Sequence, residues 1–120
     1  MKHSSPAGII DFAAPGPEVT LRETSDPALV DTPYVSSSWR YFTSDDQKAL
    51  AGIWQAPAHL HRCEFQHSEM CHLLKGAVRL TDSTGLSKTF GPGDSFVVEK
   101  GFKGIWENLE EVRKVYFILA

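Results

Sequence analysis

From Tyr34 onward the chain is a succession of short apolar runs, each cut by turn-forming residues. Asp82-Ser83-Thr84-Gly85 reads as a hairpin turn and Gly91-Pro92-Gly93-Asp94 as a tight loop. No segment keeps a helical apolar period over the ~11 residues that an amphipathic helix needs. Val, Ile, Phe, Tyr and Trp gather inside the runs, as half-buried pleated surfaces favour. The spacing predicts strands over 36–43, 48–55, 58–66, 69–75, 77–82, 86–90, 95–99, 102–107 and 112–119. The last run ends wholly apolar and reads as a central strand, and Asn108-Leu109-Glu110-Glu111 reads as one short turn. Many short strands with closely spaced turns give an all-β sandwich or barrel.

At 120 residues this is one domain with a single core. Five of the seven prolines lie before residue 35, so residues 1–35 read as an extended N-terminal arm and 36–120 as the barrel. The apolar pairs Ile9-Ile10 and Leu29-Val30 are expected to dock the arm as short edge strands. Twelve basic residues against fifteen acidic leave a net charge of −3, with Arg113-Lys114 the only adjacent basic pair. That is no footprint for nucleic acid. No run is long enough to span a membrane, and the N-terminus lacks a secretory pattern, so a cytoplasmic protein is expected. Its two cysteines, Cys63 and Cys71, are expected to be free thiols.

Several blocks then carry a resemblance. They are Gly52-Ile53-Trp54; Glu69-Met70-Cys71-His72-Leu73-Leu74-Lys75-Gly76; Leu80-Thr81-Asp82 with Gly85; Gly91-Pro92-Gly93-Asp94; Gly101-Phe102-Lys103-Gly104-Ile105-Trp106-Glu107; and Val112-Arg113-Lys114-Val115-Tyr116. Over residues 48–119 the chain resembles the cupin superfamily. It is closest in pattern to the small cupins related to the ureidoglycine aminohydrolase cupin domain and to the ethanolamine-utilisation Q proteins. The resemblance implies an all-β, single-domain jelly-roll barrel of the RmlC-like type. One fold hosts many reactions, so it speaks for the barrel rather than the chemistry.

The resemblance also implies a metal site built from His-x-His, a Glu and a later His. Glu69 keeps the Glu slot. The His-x-His slots hold Cys63 and Phe65, or Arg62 and Glu64 in the other register; the later His slot is Gly104, which would open room beside an aromatic wall. The standard site is therefore broken. The pair His59-Leu60-His61 falls slightly early. Alternate strand residues share a face, so His59 and His61 accompany Cys63 and Phe65 if those point inward. His61 then lies ~6–7 Å along the strand from Cys63. The primary expectation is no metal; the alternative is a divalent transition metal at His61, Cys63 and Glu69, with Cys63 as thiolate. Otherwise the histidines are a barrel-mouth pair bonded to water or neighbours. His67 is expected to be solvated in a turn, and His72 faces away from Glu69.

An inward Glu69 requires a partner, because burying an unpaired charge is costly. It is either a proton-holding general acid or base with raised pKa, or a buried carboxyl bonded to a backbone amide or to His61. Trp106 shares the face of Gly104 and either lines a ligand cavity or packs the core; Trp54 is expected in the core. The expected ligand contacts are His59, His61, Cys63, Phe65, Glu69, Cys71 and Trp106, with Glu69 the catalytic candidate. Met70, His72 and Leu74 make the opposite face of their strand largely apolar, so something covers it. A homodimer involving the arm is expected. The functional expectation is a small-molecule-binding cupin with a degenerate metal site. The alternative is a metal-dependent enzyme of the ureidoglycine aminohydrolase type acting on a small nitrogenous metabolite.

Overall fold

A computed structural model describes residues 6–13 and 16–120. Ten strands form: β1 (Thr20–Thr24), β2 (Tyr34–Thr43), β3 (Ala49–Ala56), β4 (His59–Glu64), β5 (Ser68–Lys75), β6 (Val78–Asp82), β7 (Ser87–Phe90), β8 (Ser95–Val98), β9 (Lys103–Asn108) and β10 (Val112–Leu119). All pairings are antiparallel. One sheet runs β1-β2-β3-β10-β5-β8 and the other β4-β9-β6-β7. This is an all-β jelly roll. No helix of the described residues is long and apolar enough to cross a membrane.

Alternation builds the core. Cys71 and Leu73 of β5, Val78 of β6, Val98 of β8, Trp106 of β9 and Val112 of β10 pack together between the sheets. Phe90 and Phe96 close one end as a stacked pair, with ring centroids 4.2 Å apart. Each such aliphatic or aromatic side chain contributes about 1.5–3 kcal/mol on burial. β10 is central, between β3 and β5, as its apolar end requires. Gly76 turns β5 into β6 at φ +84°, and a Cβ there would strike the Glu111 carbonyl oxygen. Only glycine takes both the angle and the approach without strain.

The arm departs from expectation. The edge strand is β1, not either apolar pair, and β1 pairs with β2 from Thr20↔Ser38 to Thr24↔Tyr34. Ile9 and Ile10 are exposed, whereas Val30 is buried at 2% exposure. Leu29 and Val30 sit in a turn, both amides donating to the Asp26 carbonyl. Arg62 of β4 holds that turn from outside. Its amide donates to Leu29 O at 2.8 Å, and its guanidinium donates to Ala28 O, Pro27 O and Asp31 Oδ1. The turn satisfies both amides locally and leaves no run of donors for a strand ladder. Asn108 closes β9, and the turn expected over 108–111 is a bend at Leu109 and Glu110.

Candidate functional site

A cavity of about 540 Å³ opens between the two sheets at the β1–β2 side. Arg62 is spent on the arm, and His59, His61 and Cys63 of β4 line the cavity together with Glu64 at its end and Phe65 just past it. β9 faces β4 with His59↔Asn108, His61↔Trp106 and Cys63↔Gly104 in register. Trp54 of β3 and Trp106 of β9 meet edge to face at 6.3 Å and form one wall; Tyr34 of β2 forms the opposite part. Trp54, expected in the core alone, is thus a cavity residue. Trp106 is both cavity wall and core, buried to 6% exposure.

The floor is an ion pair. Lys114 Nζ donates to Glu69 Oε2 at 2.6 Å, and the two residues are 6% and 7% exposed. Neither of the partners expected for Glu69 is used; an ammonium from β10 takes their place. β10 delivers it because Lys114 pairs with Leu73 and so shares the inward face, past a register slip between Arg113 and Lys114. The ammonium also lies 4.2 Å from the Trp106 ring centroid and 4.7 Å from that of Trp54. Two aromatic faces and a carboxylate together solvate a cation that is largely removed from water.

This pairing fixes the protonation states. Burial alone would push the Glu69 carboxyl up; the Lys114 ammonium outweighs it and holds the group below the usual carboxylate value. Burial would likewise pull Lys114 down, but the Glu69 carboxylate, with Cys71, holds it above its ordinary value. The expectation of a raised, proton-holding Glu69 is therefore corrected: it is an ionised acceptor.

Cys71 lies fully buried beneath the pair and does not line the cavity, contrary to its expected place among the ligand contacts. Its thiol donates to Glu69 Oε2 at 3.1 Å, and burial pushes its pKa up to about 12. Both of these donors use Oε2. Glu69 Oε1 receives no hydrogen bond, and among the described residues no fully buried side-chain nitrogen or oxygen lacks a partner. Oε1 is thus open to the cavity.

The histidines are held by their neighbours. His59 Nδ1 donates to Pro57 O at 2.8 Å, which assigns its proton, since a carbonyl only accepts. Its ring stacks on Tyr34 at 3.6 Å, and Tyr34 Oη bonds His61 Nδ1 at 3.1 Å. Burial lowers the pKa of both imidazoles, and Arg22 and Arg62 lower His61 further. Cys63 is half-buried and its thiol is raised by burial. His67 is half-buried against Phe65 at the mouth rather than solvated. His72 faces away and bonds Ser95 Oγ.

These donors do not fit a transition metal. Among the described residues no three His, Cys, Asp or Glu side chains converge to hold one. Glu69 Oε2 is already engaged by Lys114 and His61 Nδ1 by Tyr34. Gly104 does not open the cavity either. A Cβ there would run into the Thr81 carbonyl of β6 and lie 3.0 Å from the Phe102 ring.

Sequence reasoning missed Lys114, Tyr34, Arg22 and Arg40. The parity of Val112, Lys114 and Tyr116 on a central strand is the signal that would have found the first.

Residues 43–116 match the family model of the EutQ-like cupin domain. No curated protein sequence matches. Among solved structures, a DUF861-family protein of unknown function from Pseudomonas syringae pv. tomato superposes with a TM-score of 0.75 at 24% identity, over 91% of this chain and 46% of that one. This chain thus spans under half the length of that protein. The EutQ protein of Clostridium difficile gives 0.63 at 15% identity over 72% and 68%. A DUF861-family protein from Thermotoga maritima gives 0.51 at 31% identity over 53% and 73%.

Proposed function

This chain belongs to the EutQ-like cupin domain family, and from that premise we propose that it is a metal-free cupin binding a small polar metabolite in the barrel cavity. The observation that carries this is the Lys114–Glu69 pair. It sets a fixed cation and a fixed anion on the floor of an aromatic cavity, so the site is charge-balanced with the protein's own groups. A pocket of this size, mostly apolar with a few placed polar atoms, suits a small molecule. His59, His61, Cys63, Phe65 and Trp106 are its walls, and Glu69 is its anchoring acceptor.

The same reading takes the protein as a homodimer. Phe117, Met70 and Val97 are cross-strand neighbours on β10, β5 and β8, and all three are exposed. Such an apolar row is what a second copy would cover.

Trp54 and Trp106 report on occupancy from inside the cavity. Titrating a panel of small metabolites against the tryptophan fluorescence should give a saturable change for at least one class. Elemental analysis of protein made without chelator should find no stoichiometric metal. Bound metal that is lost on His61→Ala or Cys63→Ala would overturn the metal-free reading and favour the aminohydrolase-type enzyme.

A further inference from the structure

The polar groups that the cavity leaves unused define what its ligand must offer. Glu69 Oε1, on a residue 7% exposed, is an ionised acceptor facing the cavity with no donor of its own. Lys114 cannot serve a ligand in its place: its ammonium is committed to Glu69, to Cys71 Sγ at 3.7 Å and to the two indole faces.

The second unused set is cationic. Arg22 of β1 and Arg40 of β2 both line the cavity and are exposed at its mouth. Neither forms an ion pair with a carboxylate of the described residues, although Arg62, Arg79, Lys75 and Lys114 all do. The lining carries Arg22, Arg40 and Lys114 against Glu64 and Glu69. With the floor pair neutral as a unit, the mouth has two guanidinium groups and one carboxylate. Guanidinium groups grip a carboxylate through paired N–H donors.

Resting on the binding reading above, we infer that the ligand is a small carboxylate with a hydrogen-bond donor at its far end. Its carboxylate is taken by a mouth arginine, Arg22 or Arg40, which stand four strand positions, ~13 Å, apart, and its donor, an amino or amide N–H, sits on Glu69 Oε1. Tyr34, Trp54 and Trp106 enclose the stem between the ends. A cavity of about 540 Å³ accommodates a short chain.

The test uses the full chain labelled with ¹⁵N. The indole N–H signals of Trp54 and Trp106 report the cavity, and Trp39, which does not line it, is the control. The probes are ω-amino acids of increasing chain length, the carboxylic acids of the same lengths without the amine, and the amines without the acid. A neutral panel of small sugars and amides runs alongside. One length of amino acid should bind about tenfold or more tighter than either single-ended analogue. The double variant Arg22→Gln, Arg40→Gln should bring it down to the affinity of the bare amine. Both residues are exposed strand positions, so the variant keeps its fold.

A bare amine binding as tightly as the amino acid, or unchanged affinity in the double variant, overturns the assignment. Binding confined to the neutral panel overturns the carboxylate assignment and leaves the binding reading standing. No shift from any probe, with a folded spectrum, overturns both.

Discussion

Replacing Lys114 with methionine tests the floor of the site most directly. Methionine keeps most of the length and removes the charge, leaving Glu69 buried with only the Cys71 thiol on Oε2. Breaking a buried pair from one side costs about 3–5 kcal/mol, since the remaining charge loses its counterion while staying largely buried. With an m-value of about 2 kcal/mol/M, the urea midpoint should fall by about 2 M.

The pH dependence separates this from a packing loss. In the wild type, Glu69 is depressed below its ordinary 4.5, so its contribution is present above that value and is lost as pH falls through the folded pKa. Lys114 is raised above 10.5, so its share is present below that value and is lost as pH rises through its folded pKa. Between those limits the pair contributes fully. In Lys114→Met the carboxyl is left with burial as its dominant influence and should be raised. Its folded state then favours the proton, and stability falls as pH rises above about 4.5. The deficit should be small near pH 4 and full at neutral pH. The double variant Glu69→Met, Lys114→Met should recover most of the loss, because a buried pair is often replaced by apolar groups at little cost. A single-variant loss under about 1 kcal/mol with no pH trend would refute the claim that this pair is buried and coupled.

Other outcomes follow from the same geometry. In native protein Cys71 should resist alkylation at pH 8, being fully buried and raised to about 12, while half-buried Cys63 should react slowly; mass spectrometry after iodoacetamide treatment reads both. Gly104→His should destabilise the barrel by about 1–3 kcal/mol in urea melts, from overpacking against Thr81 and Phe102, and should gain no zinc by elemental analysis. Light scattering should give twice the 13.3 kDa chain mass, and Met70→Glu should halve it by placing a charge in the exposed row. A monomeric wild type would remove the dimer from the proposed function.

Turn chemistry made most of the barrel legible, because Asp82 and Gly91–Asp94 stop strands by local hydrogen bonds that need no tertiary context. The placement of Glu69 was legible for a similar reason, since alternation is a local rule, whereas the parity of β4 stayed open between two registers until the contacts of Arg62 with the 27–31 turn decided it. What lay beyond reach was set by partners distant in sequence. Lys114 and Glu69 are 45 positions apart, and in sequence Arg113-Lys114 looks like an ordinary solvated basic pair. The same holds for β1. Its residues Thr-Leu-Arg-Glu-Thr carry one apolar side chain, and that one is exposed. Nothing local announces a strand there; the free edge of β2 supplies the reason.

The glycine at 104 bears on what this barrel can become. An imidazole there would first require β6 to move aside, which lowers stability before any metal could reward it. Removing Lys114 to vacate the floor strands the charge on Glu69, again a loss on its own. Each step toward a metal centre is deleterious until the other has been taken. The exposed arginines of the mouth, by contrast, form no ion pair among the described residues, so exchanging them costs the fold little.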